Sequence, residues 1–285
     1  MTQMRTIAVV GAGSMGGGIA HLAAQSGFSV VLTDTLEPAL ERSLERIRQL
    51  QEKAVGKGKL TPAEAEATLA RLTVTPRLED VRSADFVIEA IIEDEGAKQA
   101  LFRQLDELCR PEVVLATNTS SIPITSIAAA TTRAKQVVGM HFFNPPQVMR
   151  LVEVVRGYDT DDATVALTTD LARRMGKTTV EVKRDTPGFI VNRILVPQFI
   201  EAIRLVEEGV ASKEDVDTAV KLGLNYPMGP FELQDFAGVD IGLHVMDVFF
   251  QETKDPRYAA PQSLRALIRA GRLGKKVNKG WYDYE

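Results

Sequence analysis

At 285 residues the chain is long enough for two domains and too long for one typical hydrophobic core. Its 45% hydrophobic and 25% charged residues are ordinary soluble composition, and a net charge of −4 argues against a nucleic-acid binder, which carries a basic stripe. One cysteine, Cys109, rules out an internal disulfide, and three histidines (His21, His141, His244) without metal-ligand spacing argue against a metal site. No apolar run reaches transmembrane length and the first residues lack a signal-peptide core, so a cytoplasmic protein without a membrane partner is expected.

Taken in chain order, Ile7 to Val10 reads as a buried parallel strand, and Gly11, Gly13 and Gly16 follow at Gly-x-Gly-x-x-Gly spacing where a helix should open. Gly11 allows the tight turn, Gly13 lets the backbone approach a pyrophosphate, and Gly16 lets the helix pack closely on the strand. With Ala12, Ser14 and Met15 between them, these residues make up a dinucleotide-binding turn. A second strand, Ser29 to Thr33, ends in Asp34, where an acidic side chain can accept hydrogen bonds from a ribose 2′-hydroxyl. A 2′-phosphate there would face Asp34, and two unit charges about 4 Å apart at an effective dielectric near 20 repel by roughly 4 kcal/mol. Thr35 and Leu36 come next and no arginine offsets this, so NAD is favoured over NADP.

Pro38 to Val55 is amphipathic at helical period, and a second helix is opened by Thr61 as cap and Pro62 at the first helical position. This helical pair, about 37–72, is an insertion longer than a plain βαβ crossover needs. Arg46, Arg48, Lys53, Lys57 and Lys59 give its tip a positive bias, as either a solvated helix end or a clamp for an anionic, phosphate-bearing substrate.

The strand and helix alternation then resumes: strands at Asp85 to Ile91, Val113 to Asn118, Val137 to Phe143, LVEVVRG and KTTVEVK, with helices at Glu93 to Leu108 and around Asp162 to Met175. This predicts a Rossmann-type α/β domain, a doubly wound and mostly parallel sheet over 1–185, with ligands outside the carboxyl ends of its strands. After the breaker Thr186-Pro187-Gly188 only helices are expected: Phe189 to Glu208, Lys213 to Leu222, Phe231 to Phe236, Ile241 to Gln251 and Gln262 to Ala270. Residues 186–285 thus read as a second, all-α domain. The basic then aromatic tail, GRLGKKVNKGWYDYE, is expected to be an ordered cap.

For hydride-transfer chemistry on an alcohol, His141 at a strand end is the natural base, because imidazoles titrate near neutral pH. Glu153 interrupts an apolar strand and needs a partner, which His141 on the neighbouring strand can be. In TNTSS, Ser120 can donate to a substrate oxygen, while Asn118 or Ser121 can cap the next helix. Asn192, in an otherwise largely apolar helix, is either a polar tie between domains or a donor into the cleft.

VVGAGSMGGGIA, EAIIED, ATNTSS, HFFNPP, LVEVV, PGFIVNRIL, YPMGPFEL and GKKVNKGWYDY, in this order, resemble the L-3-hydroxyacyl-CoA dehydrogenase family over essentially the whole chain. Its short single-function bacterial members act on 3-hydroxybutyryl-CoA. The resemblance implies NAD-dependent interconversion of (S)-3-hydroxyacyl-CoA and 3-oxoacyl-CoA, with His141 as general base, Glu153 as its partner, and Ser120 and Asn192 positioning the substrate oxygen. It further implies NAD contacts at Asp34, Glu93, Lys98, Ser120, Asn144 and Lys276, CoA-phosphate contacts at Lys53 and Lys57, and a homodimer through the helical domain. Trp281 stands where phenylalanine is more usual, and Pro146 extends the asparagine-proline pair. Other readings are a dehydrogenase of a free hydroxy acid, such as the gulonate dehydrogenases, a β-hydroxyacid dehydrogenase with a catalytic lysine, or a non-catalytic dinucleotide-binding protein. The basic tip favours a CoA substrate over a free acid.

Overall fold

The computed structural model describes residues 4–285. The chain divides into two compact units, one ending at Asp185 and the other spanning Thr186–Glu285.

The first unit is built on eight strands: β1 (Thr6–Val10), β2 (Ser29–Thr33), β3 (Leu72–Thr75), β4 (Phe86–Glu89), β5 (Val114–Thr117), β6 (Val137–Phe142), β7 (Leu151–Arg156) and β8 (Thr178–Val182). They form one sheet in the order β3-β2-β1-β4-β5-β6-β7-β8. Its central strands are short apolar runs buried on both faces, as a sheet covered by helices on each side requires. The chain winds outward from β1 to β3 and then returns across β1 to β4. The strand order therefore reverses between β1 and β4, whose carboxyl ends border the crevice where such sheets bind ligands.

Two features of the sheet depart from the sequence pattern. Leu72–Thr75 forms an edge strand that hydrophobic patterning does not reveal, because only one of its four residues is buried. All pairings are parallel except β6 with β7, which run antiparallel in a register that puts His141 directly opposite Glu153. Directly opposed residues project from the same face of the sheet, and a one-residue slip would send Glu153 to the other face.

Helices α1 (Ser14–Gln25), α2 (Glu37–Gly56) and α3 (Pro62–Ala70) follow β1 and β2. On α2, Leu40, Ser43, Ile47 and Gln51 form the buried face, at the spacing of one helical stripe. A capping box opens α3: Thr61 accepts from the Glu64 amide and Glu64 accepts from the Thr61 amide, an arrangement worth about 1 kcal/mol. Further along the chain lie α4 (Glu95–Leu108), α5 (Ile124–Ala128) and α6 (Asp162–Arg174). Asp94, not Glu93, caps α4, its Oδ1 accepting from Ala97 N at 2.8 Å. Glu93 is thereby left for another task. Cys109 ends α4 and is buried, which pushes its thiol up to about 11. It packs rather than reacts. No helix of the described residues is long and apolar enough to cross a membrane.

The second unit contains α7 (Val191–Glu207), α8 (Lys213–Gly223), α9 (Pro230–Ala237), α10 (Val239–Thr253) and α11 (Gln262–Arg269). Helix α7 starts later than periodicity suggests, because Gly188 and Phe189 both take left-handed φ values, 73° and 51°. A side chain at Gly188 would overlap the Phe249 ring. The tail is an ordered cap fixed by two buried carboxylates. Asp235 accepts from the amides of Trp281 (2.8 Å) and Tyr282 (2.9 Å) and from the Tyr284 hydroxyl (2.8 Å). Asp217 accepts from the Tyr282 hydroxyl (2.8 Å) and from the amides of Phe231 and Glu232, which open α9. Burial holds the Asp217 carboxyl above the usual range, with its hydrogen bonds opposing the shift.

Candidate active site

The glycine turn is shaped by three different constraints. Gly11 has φ +105°, and a Cβ there would stand 2.5 Å from the Ala90 carbonyl oxygen on the neighbouring strand end. A Cβ at Gly16 would overlap the Gly11 carbonyl oxygen, so Gly16 makes room chiefly for the turn itself and less for the strand than its spacing suggests. Gly13 has nothing within 4 Å of a built Cβ, which leaves open space beside the backbone. No side chain caps α1 and no acid lies in its first turn. Its first amide N–H groups carry the partial positive charge of a helix start with no side chain to satisfy them, as phosphate binding requires.

Asp34 does more than wait for a ribose. Its Oδ2 accepts from Ala12 N at 2.7 Å and its Oδ1 from Leu36 N at 2.9 Å, tying the glycine turn to the end of β2. A carboxylate offers about four lone-pair sites, so acceptor capacity remains for a ribose hydroxyl. Open turn, uncapped helix start and strand-end acid together fit NAD.

At the end of β4 the structure brings together residues that the sequence reading kept apart, and adds one it missed. Glu89 is fully buried and accepts from Lys98 Nζ (2.5 Å), Thr117 Oγ1 (2.7 Å) and Ile91 N (2.7 Å). Lys98 is 1% exposed and lies 3.5 Å from Glu93, between the two carboxylates. Glu93 Oε1 in turn accepts from Thr119 Oγ1 (2.6 Å), Ser120 N (2.9 Å), Ser121 Oγ (3.1 Å) and Ser121 N (3.2 Å). Burial alone would raise the Glu93 carboxyl, but the Lys98 charge and these donors outweigh it and hold Glu93 below the usual range. Glu93 is therefore an acceptor at neutral pH and organises the loop that presents Ser120, whose hydroxyl lies 3.4 Å away. The capping role considered for Asn118 and Ser121 is not what they do. Pro123 precedes α5 without a side-chain cap, Asn118 Oδ1 accepts from Phe142 N at 2.8 Å, and Ser121 binds Glu93.

His141 and Glu153, 5% and 0% exposed, meet through a 2.7 Å hydrogen bond between Nδ1 and Oε2. A carboxylate only accepts, so Nδ1 donates, and in the neutral ring Nε2 carries the lone pair. The Phe143 ring packs 4.5 Å from the imidazole, centroid to centroid. Asn144 follows on the exposed segment after β6. That segment is held by Lys177, whose Nζ donates to the carbonyls of Pro146 (2.5 Å) and Met149 (2.8 Å). Burial lowers the Lys177 ammonium from the usual lysine range. In the sequence Lys177 reads as an ordinary strand start, with no signal of this role.

The remaining candidates lie elsewhere in the chain. Lys53 and Lys57 are exposed, in the last turn of α2 and just beyond it. Asn192 lies in the first turn of α7, half-buried, and Lys276 Nζ pairs with Asp240 at 2.6 Å, both within the second unit. No cluster of three or more His, Cys, Asp or Glu side chains among the described residues could hold a metal ion.

The family model of the 3-hydroxyacyl-CoA dehydrogenase NAD binding domain matches residues 6–186, and that of the 3-hydroxyacyl-CoA dehydrogenase C-terminal domain matches residues 188–284. A probable 3-hydroxybutyryl-CoA dehydrogenase of Bacillus subtilis is 47% identical over 99% of this chain and 98% of its own. The human mitochondrial hydroxyacyl-coenzyme A dehydrogenase is 43% identical over 99% of this chain and 92% of its own. The crystal structure of the (S)-3-hydroxybutyryl-CoA dehydrogenase PaaH1 from Ralstonia eutropha superposes with a TM-score of 0.95, at 41% identity over 99% of this chain and 100% of that one. With both family models in chain order and relatives similar from end to end, this chain belongs to the 3-hydroxyacyl-CoA dehydrogenase family.

Proposed function

We propose that the protein interconverts (S)-3-hydroxyacyl-CoA and 3-oxoacyl-CoA, with 3-hydroxybutyryl-CoA as its substrate and NAD as cofactor. The observation that carries this reading is the His141–Glu153 pair, set face to face by the β6–β7 register. In the oxidation, His141 Nε2 takes the proton of the substrate hydroxyl while Glu153 holds Nδ1–H and stabilises the imidazolium that forms. In the reduction, the same nitrogen returns the proton to the nascent alcohol. Ser120 donates a hydrogen bond to the substrate oxygen and polarises the carbonyl. NAD, when bound, supplies a two-electron hydride acceptor. Asp34 and the amides of the glycine turn hold its adenosine and diphosphate half, while Glu93, Lys98 and Asn144 serve its nicotinamide half. Lys98 acts there through Glu93, since its own ammonium is buried between two carboxylates. Lys53 and Lys57 meet the phosphates of CoA.

The protein works as a cytoplasmic homodimer joined through the helical unit. Exposed apolar side chains there, among them Val210 (65%), Leu222 (82%) and Leu224 (60%), support such an interface.

The direct test is NADH consumption with acetoacetyl-CoA against free acetoacetate. Turnover on the thioester with little on the free acid is expected, and equal rates would favour the free hydroxy-acid reading. Asp34→Ala should weaken both dinucleotides, because the turn loses its tie to β2, and should narrow the NAD over NADP preference. A preference ratio unchanged from wild type would mean that the 2′-position is read by other groups. Changing Lys53 and Lys57 together to Glu should raise the Michaelis constant for acyl-CoA, most strongly at low ionic strength. A Michaelis constant that stays put would remove both lysines from the CoA site.

A further inference from the structure

Lys177, just ahead of β8, is a buried cation that the proton and hydride steps leave idle. It is 7% exposed, and among the described residues no carboxylate pairs with it, so burial acts on its ammonium without a neighbouring charge to offset it. Holding an ammonium out of water without a counter-ion is costly. What it secures is the segment 144–149. Pro145 and Pro146 have no amide N–H, and the amides of Val148 and Met149 both turn back on the Pro145 carbonyl at 3.0 Å, so the segment is a closed turn and not a continuation of β6. The carbonyls of Pro146 and Met149 are taken by Lys177.

The one antiparallel pairing of the sheet decides where this happens. Because β7 runs against β6 and β8 runs with β7, the start of β8 lies at the edge where β1, β4, β5 and β6 end, with Thr178 N donating to the Arg150 carbonyl at 2.8 Å. That is the ligand edge. The turn also rests on α1. A Cβ built on Gly18 would stand 3.0 Å from Pro146 Cγ, Pro146 Cδ and Gln147 Nε2, so only the bare face of a glycine separates the turn from the helix that opens at the dinucleotide site. The turn begins with Asn144, three residues after His141. It is thus gripped between Lys177 and the cofactor's helix, where the chain leaves the proton carrier. We propose that Lys177 is a positioning residue for the cofactor: it holds the 144–149 turn against α1 and so fixes Asn144 beside the nicotinamide half. This rests on the assignment of Asn144 to that half.

The test is calorimetric titration of wild type, Lys177→Met, Asn144→Ala and the double variant with two probes, NADH and ADP-ribose, the second of which lacks the nicotinamide. Methionine keeps an unbranched apolar stem and removes the donors. In Lys177→Met the Kd for NADH should rise about tenfold, the worth of one hydrogen bond, while the Kd for ADP-ribose stays within about twofold of wild type. Equal losses for both probes, failure to fold included, would make Lys177 a prop of the whole sheet edge and overturn the proposal. So would an unchanged Kd for NADH, whatever happens to Tm. The double variant should bind NADH no more weakly than Asn144→Ala alone, and multiplied losses would show that Lys177 does not act through Asn144. Asn144→Ala with wild-type affinity for NADH would sink the nicotinamide assignment itself. Neither probe needs turnover, so the split between them is read even beside a wild type inactive on acetoacetyl-CoA, which would sink the acyl-CoA reading alone.

Discussion

His141→Ala should lower kcat for reduction of acetoacetyl-CoA by about 10²- to 10⁴-fold, roughly 3 to 5 kcal/mol of barrier, and should leave the Kd for NADH within about threefold of wild type. The split follows from where the residue stands. His141 stands near the end of β6, whereas the elements assigned to the adenosine and diphosphate half of the dinucleotide are the glycine turn after β1 and Asp34 after β2, at other strands of the sheet. Removing the imidazole deletes the group proposed to move the substrate proton but touches none of the turn's hydrogen bonds. Stopped-flow reduction together with NADH fluorescence titration measures both halves. Turnover near wild type would remove His141 from the chemistry, and lost NADH affinity would make it a structural prop.

Glu153→Gln comes second in expected size, a fall of about 10²- to 10⁴-fold in kcat with KM little changed. The substitution keeps the volume of a fully buried side chain. An amide, however, can donate to Nδ1, which favours the tautomer with its proton on Nε2 and leaves that nitrogen unable to accept one. It also withdraws the negative charge that stabilises the imidazolium. Because both residues serve one proton transfer, the double change His141→Ala with Glu153→Gln should be no slower than His141→Ala alone. Multiplying losses in that cycle would show the two side chains acting independently.

Much of this site is legible in the sequence because its determinants are local. Gly11, Gly13 and Gly16 lie within six residues, and the acid that ties their turn stands at the end of the next strand. The rule that found Glu153, a charge inside an apolar strand in need of a partner, also applies to Glu89 within DFVIEAI. Lys98 and Thr117 meet Glu89 as closely as His141 meets Glu153. Lys177 gave no such warning, since its partners are the carbonyls of Pro146 and Met149, about thirty residues back, and carbonyls have no sequence signature. Asp217 and Asp235 sit in helices among other charged residues, and only the return of Tyr282 and Tyr284 shows them to be buried anchors of the tail. The edge strand β3 escaped for a different reason. Its pairing with β2 is set by the chain leaving α3, not by an apolar pattern of its own.

The most direct test of the imidazole as proton carrier in both directions is the pH dependence of kcat, measured with acetoacetyl-CoA and NADH and again with 3-hydroxybutyryl-CoA and NAD. If His141 gives the proton one way and takes it the other, the two profiles have opposite limbs, reduction slowing as pH rises and oxidation slowing as pH falls. Limbs that run in the same sense in both directions, or that persist unaltered in His141→Ala, would contradict it.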